Sequence, residues 1–162
     1  MSISAAPRRE GSRTSIIAAA VATGLAGTFD LVWASSLGLV HGRSFAKVWQ
    51  SVASGWLGAE AYAAGAAAVW LGVATHFGIM AAMAATYAVL LRWSGFLRRR
   101  RLLGGALYGV ALFGVMNGLV LPLRWPEVFP RWNGLWSVLE LLAHIGVGLI
   151  LAAVFRRVSS SR

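Results

Sequence analysis

Five side chains that ionise or hydrogen-bond strongly, Asp30, His76, Asn117, Glu140 and His144, interrupt otherwise apolar stretches of this 162-residue chain. A carboxylate placed in hydrocarbon costs about 3 kcal/mol on insertion scales, so each such residue calls for a partner or a task. Glu140 and His144 are one helical turn apart and therefore share a helix face. At the helical rise, Asp30 and Asn117 each stand about 22 Å from the start of their stretches. Glu140 and His144 lie about 8 and 14 Å from the start of theirs, and His76 between about 6 and 18 Å from its own, which predicts that all five occupy one half of a bundle. Two histidines and two carboxylates, with Asn117 in support, suit three chemistries. They can neutralise one another so that helices dock in one register. They can exchange protons near neutral pH. As a third choice, His76, Glu140 and His144 are candidate ligands for a divalent metal, and His76 with His144 admits haem. His41 and Glu60 sit near the ends of apolar runs, where a water-exposed role is expected.

The elements that must position these groups are four apolar runs, at about 15–40, 64–91, 102–123 and 135–155. Each meets the roughly 20 residues that a helix needs to cross a bilayer core. With 58% hydrophobic and 12% charged residues and a mean hydropathy of +0.69, lipid, not water, is the expected surroundings. The fold class is all-α: an integral membrane four-helix bundle, one domain over 15–155, with basic tails at 1–14 and 156–162. Arg8, Arg9 and Arg13 before an apolar stretch imitate an export signal, but the run is too long for one and contains Asp30, so it reads as a retained first span.

Net charge is +10, yet the basic residues cluster at the ends of apolar runs, as in Arg98 to Arg101 and Arg156-Arg157, instead of forming a stripe interleaved with aromatics. Anionic lipid head groups fit that distribution and nucleic acid does not. Alternate connections differ sharply in Lys and Arg: the two tails and the 92–101 segment are rich, while Arg43, Lys47, Arg124 and Arg131 alone serve the others. The positive-inside rule then puts both termini in the cytoplasm. Most tryptophans fall at the opposite, outer ends, as interfacial indoles should. Between the first two spans Phe45, Val48, Trp49, Val52 and Trp56 recur at near-helical spacing, with Lys47, Gln50, Ser51 and Ser54 on the other face, which predicts a short interfacial helix. Pro122, Pro126 and Pro130 predict a non-helical loop between spans three and four. The chain has no cysteine, which excludes thiolate and disulfide chemistry. Nor is there a glycine-rich nucleotide loop or a Ser-His-Asp ordering, so an enzyme is not the expected class.

Close helix contact is predicted from two GxxxG pairs, Gly105 with Gly109 and Gly114 with Gly118, and from Ala18, Ala22 and Ala26. Glycines on more than one face leave room for a homo-oligomer or a membrane-complex partner. A weak internal repeat pairs Gly27-Thr28-Phe29-Asp30 with Gly114-Val115-Met116-Asn117, and His76-Phe77-Gly78 with His144-Ile145-Gly146. The stretches Ala53-Ser54-Gly55-Trp56-Leu57-Gly58, His76-Phe77-Gly78-Ile79-Met80 with Tyr87, and Tyr108-Gly109 followed by Met116-Asn117 and Leu121-Pro122-Leu123 resemble the YagU-like proteins, small four-span bacterial inner-membrane proteins of uncharacterised role. The resemblance runs from the first through the third span and implies a helical inner-membrane protein. It implies no reaction, cofactor or catalytic residue, and it does not reach Glu140 and His144. The expected function is thus proton or ion handling, or register locking, by the buried acid and histidine residues. A membrane metal- or haem-binding protein and an accessory subunit of a larger complex are the alternatives.

Overall fold

The computed structural model describes the backbone of residues 7–159 and the side chains of residues 16–156. Of the described residues 87% are helical, and none lies in a strand. In chain order the elements are α1 (Pro7–Val40), α2 (Phe45–Leu57), a 3-10 turn (Gly58–Tyr62), α3 (Gly65–Trp93), α4 (Gly95–Arg99), α5 (Arg101–Val115), a π turn (Met116–Val120), α6 (Leu121–Arg124) and α7 (Leu135–Ser159). Four segments are long and apolar enough to cross a membrane: Ile16–Val40, Gly65–Trp93, Arg101–Arg124 and Leu135–Arg156. That is the architecture of a multi-pass membrane protein.

The spans alternate in direction. One end of the bundle carries α4 and the arginines around it; the other carries α2, the 3-10 turn and the 125–134 loop. Helix α1 reaches back to Pro7, a residue whose fixed φ and missing N–H suit a first helical turn. It ends where Gly42, at φ 73°, lets Gly42 N–H reach the Leu39 carbonyl and Arg43 N–H the Gly38 carbonyl, both at 2.9 Å. Ser44 then caps α2 by accepting from the Lys47 amide.

Pro122 departs from expectation. It lies inside helix, in the first turn of α6, and the third span continues to Arg124. Proline has no N–H to give the preceding turn, and the π turn at 116–120 absorbs the mismatch by widening the ladder, so that the Leu121 amide bonds to the Met116 carbonyl five residues back. Only Pro126 and Pro130 lie in the loop.

Helices in lipid gain little from burying apolar surface, so their docking relies on close backbone approach and a few hydrogen bonds. The tightest seam joins α5 to α7. A Cβ on Gly105 would meet the Gly148 carbonyl and Ala152, and one on Gly109 would run into the backbone of His144 and Ile145. Ala18, Ala22 and Ala26, at most 3% exposed, form the matching small-residue face of α1. Tyr87, Leu151, Val147 and Phe155 fill the centre, and the Tyr108 hydroxyl donates to the Met83 carbonyl at 2.8 Å, tying α5 to α3. Gly114 and Gly118 take no part in this; nothing stands within reach of a Cβ at either. Nine residues at 100° each turn Gly114 half-way round from Gly105, so the two GxxxG pairs face opposite ways. Outward faces carry Ile17, Val21, Leu25, Val32 and Leu107, all well exposed, the reverse of a water-facing surface.

This seam gives a paired expectation. Gly109→Leu should lower unfolding stability in detergent by about 1–3 kcal/mol or more through overpacking, while Gly114→Leu should leave it unchanged. Thermal unfolding of both variants followed by circular dichroism measures the contrast, and equal effects would contradict the packing described.

Candidate functional site

Near the middle of the bundle α3 passes α1 at Gly27, where the absent side chain leaves room for the ring of Phe77. That approach brings His76, 7% exposed, against α1. Its Nε2 lies 3.0 Å from the Gly27 carbonyl oxygen, and its Nδ1 faces Oδ2 of Asp30 at 3.8 Å. The first distance is a hydrogen bond; the second is an ion-pair separation, too long for one. Asp30 is largely shielded, with about a fifth of its side chain accessible.

Above this pair sits α2. Its burial pattern differs from the amphipathic face read in the sequence: Val48, Trp49, Gln50, Ala53 and Gly55 are buried, whereas Phe45 and Trp56 are exposed. The cause is the contact with α3, where Gly72 admits the Trp49 backbone so closely that any side chain there would collide with it. Gln50, expected on the polar face, instead donates to the Gly65 carbonyl at 3.3 Å. The Trp49 indole packs edge-on to His76 with ring centroids 5.1 Å apart, and its Nε1 donates to Ser35 Oγ of α1 at 3.2 Å. Phe77 closes the imidazole from its own helix at 5.3 Å. Two more indoles fasten this end: Trp56 donates to Thr75 Oγ1 at 2.9 Å and Trp125 to Ser54 Oγ at 3.1 Å. Sequence reasoning placed these tryptophans at an interface and missed their hydroxyl partners, which lie 14 to 71 residues away along the chain.

The five sequence-derived residues do not form one cluster. Asp30 and His76 meet. His144 interacts electrostatically with Asp30, but its Nδ1 bonds to the backbone carbonyl of Glu140 at 2.8 Å, not to that residue's carboxylate. Its ring also meets Phe113 edge-on at 5.6 Å. Glu140 is exposed, a correction to its expected burial: it stands near the loop end of α7, within electrostatic range of His144, Arg131 and His41. His41 stacks on Trp136 at 3.8 Å. Asn117 lies in the π turn and spends its side-chain amide on the Phe113 carbonyl of its own helix at 3.3 Å, so it does not support the pair. No three His, Asp or Glu side chains among the described residues converge on one point, so His76, Glu140 and His144 do not form a shared ligand set.

Nor do the two halves of the suspected repeat make equivalent contacts. His76 reaches across to Gly27, while His144 bonds within its own helix and a Cβ on Gly114, the counterpart of Gly27, would meet no other helix.

No protein-family model, curated protein or solved structure matches the chain. What the site does has to follow from its chemistry. His76→Gln and Asp30→Asn should each destabilise the bundle by about 1–3 kcal/mol, since each leaves a buried group without its partner. The double variant should fall short of their sum by at least about 0.5 kcal/mol. Strict additivity in detergent unfolding would show that the two side chains are not coupled.

Proposed function

We propose that this is a multi-pass protein of a bacterial inner membrane whose Asp30–His76 pair takes up and releases a proton from the tryptophan-rich end of the bundle. The observation that carries the reading is the Nε2 contact to the Gly27 carbonyl. A carbonyl only accepts, so Nε2 keeps its hydrogen, and the remaining nitrogen, Nδ1, is the one that gains or loses a proton. When the ring is neutral, Nδ1 presents a lone pair to Asp30. A carboxylate opposite it in a low-dielectric interior is costly, so one proton belongs between them, on Nδ1 or on Oδ2. Both arrangements leave the pair neutral overall, and closing the 3.8 Å gap to hydrogen-bond length permits transfer between them; release of that one proton leaves a neutral ring beside a carboxylate, and uptake of one restores the pair.

Access is one-sided. Toward the basic end Met80, Met83, Ala84 and Leu112 pack beneath the pair as apolar core. Toward the other end His144, then Glu140 and His41, supply ionisable groups at decreasing depth. Trp49 covers the imidazole, so movement of α2 would open it. Lys and Arg asymmetry favours the basic end, with both termini, in the cytoplasm, anionic head groups around it, and α2 at the outer interface.

Three histidines in the chain make the test tractable. In proteoliposomes with one protein orientation, 15N spectra of His76 should show Nε2 protonated at every pH. Nδ1 should change with pH on the α2 side only. A deprotonated Nε2, or equal response to both sides, would refute the reading.

A further inference from the structure

At the basic end a groove of about 610 Å³ runs between the start of α5 and the last turns of α7, lined by Arg99, Arg100, Arg101 and Arg156 together with Leu102 and Leu103. The arginines of this connection divide into two kinds. The Arg98 guanidinium donates to the Leu91 and Arg92 carbonyls at 2.8 and 3.0 Å, capping α3, and Arg101 Nε donates to the Arg98 carbonyl at 3.0 Å. Among the described residues the Arg99 and Arg100 side chains have no hydrogen-bond partner; the Arg100 backbone bonds only to Phe96 and Gly104. Among the side chains of residues 16–156 no carboxylate stands at this end, since Asp30 lies at the level of His76 and Glu60, Glu127 and Glu140 lie toward the opposite one. The amino end of α5 opens here as well, and no side chain caps it, which adds the positive pole of a helix to the guanidinium charge.

The apolar half of the groove narrows the choice of anion. Leu102 and Leu103 are 73% and 53% exposed, directly beside the arginines and on the lipid-facing side of α5. A free phosphate would use the charge and leave these leucines bare, whereas a phosphodiester carrying acyl chains satisfies both. We propose that this groove is a specific site for an anionic glycerophospholipid, its phosphate held by Arg99, Arg100 and the amino end of α5 and an acyl chain laid along Leu102 and Leu103. The site is independent of the Asp30–His76 pair.

Native mass spectrometry of the protein in neutral detergent, titrated with phosphatidylglycerol or phosphatidylcholine, tests it. Wild-type protein should hold one phosphatidylglycerol in clear preference to phosphatidylcholine, and millimolar inorganic phosphate should not displace it. Arg99→Gln with Arg100→Gln should weaken phosphatidylglycerol binding roughly thirtyfold, at about one basic residue's contribution each. Arg99→Lys with Arg100→Lys should retain most of it, and Arg43→Gln at the opposite end should change nothing. Equal retention of the two lipids by wild type, full binding by the double Gln variant, or displacement by phosphate would each overturn the proposal. The wild-type lipid comparison decides even if the double variant fails to fold.

Discussion

An ionisable group carried into the apolar interior is costly without a partner inside the protein, and the contact of His76 with α1 is where that constraint bears hardest. An imidazole and a carboxylate on different spans are neutralised there in one place, and the helices around them are arranged to allow it. Gly27 has no side chain, so α3 comes close enough for Nε2 to reach a backbone carbonyl. Gly72 does the same one layer outward, letting α2 settle against α3 until Trp49 covers the ring. If α3 were displaced from α1, Asp30 would lose its partner, and Trp49 its seat. The position of α2 is thus a consequence of the same packing that satisfies the buried pair.

The rest of the bundle is held by means that suit lipid. Gly105, Gly109 and Gly148 bring α5 and α7 into backbone contact, and Tyr108 adds one cross-helix hydrogen bond. Large apolar side chains turn outward, where acyl chains would cover them. Charge is kept to the ends: arginines cap and surround the α3–α5 connection, while the opposite end relies on indoles bonded to Ser35, Ser54 and Thr75.

The spans were legible because run length and hydropathy are local properties, and the helices follow the four runs closely. The pairing of Asp30 with His76 could be anticipated from depth and cost. What lay beyond the sequence depended on rotation and neighbours. Glu140 and His144 share a face, as four-residue spacing requires, yet that face is near the rim and His144 turns to a backbone carbonyl. Asn117 has a depth like that of Asp30, but depth says nothing of azimuth, and the π turn around it changes the helical phase. Pro122 was misjudged for the same reason, since a widened turn removes the conflict that proline usually creates. Trp49 carried a signal in its regular spacing with Val48 and Val52, but its partner Ser35 becomes visible only once α2 is folded back on α1.

Asp30 is the only aspartate in the chain, so a carboxyl 13C label on aspartate reports on that one site. In bilayers, the dipolar coupling between this carbon and the ring nitrogens of 15N-labelled histidine measures whether the buried pair exists. A strong coupling that vanishes in His76→Gln is the expected result. No coupling in the wild-type protein, or one that survives that substitution, would contradict the arrangement on which the bundle and its proposed activity depend.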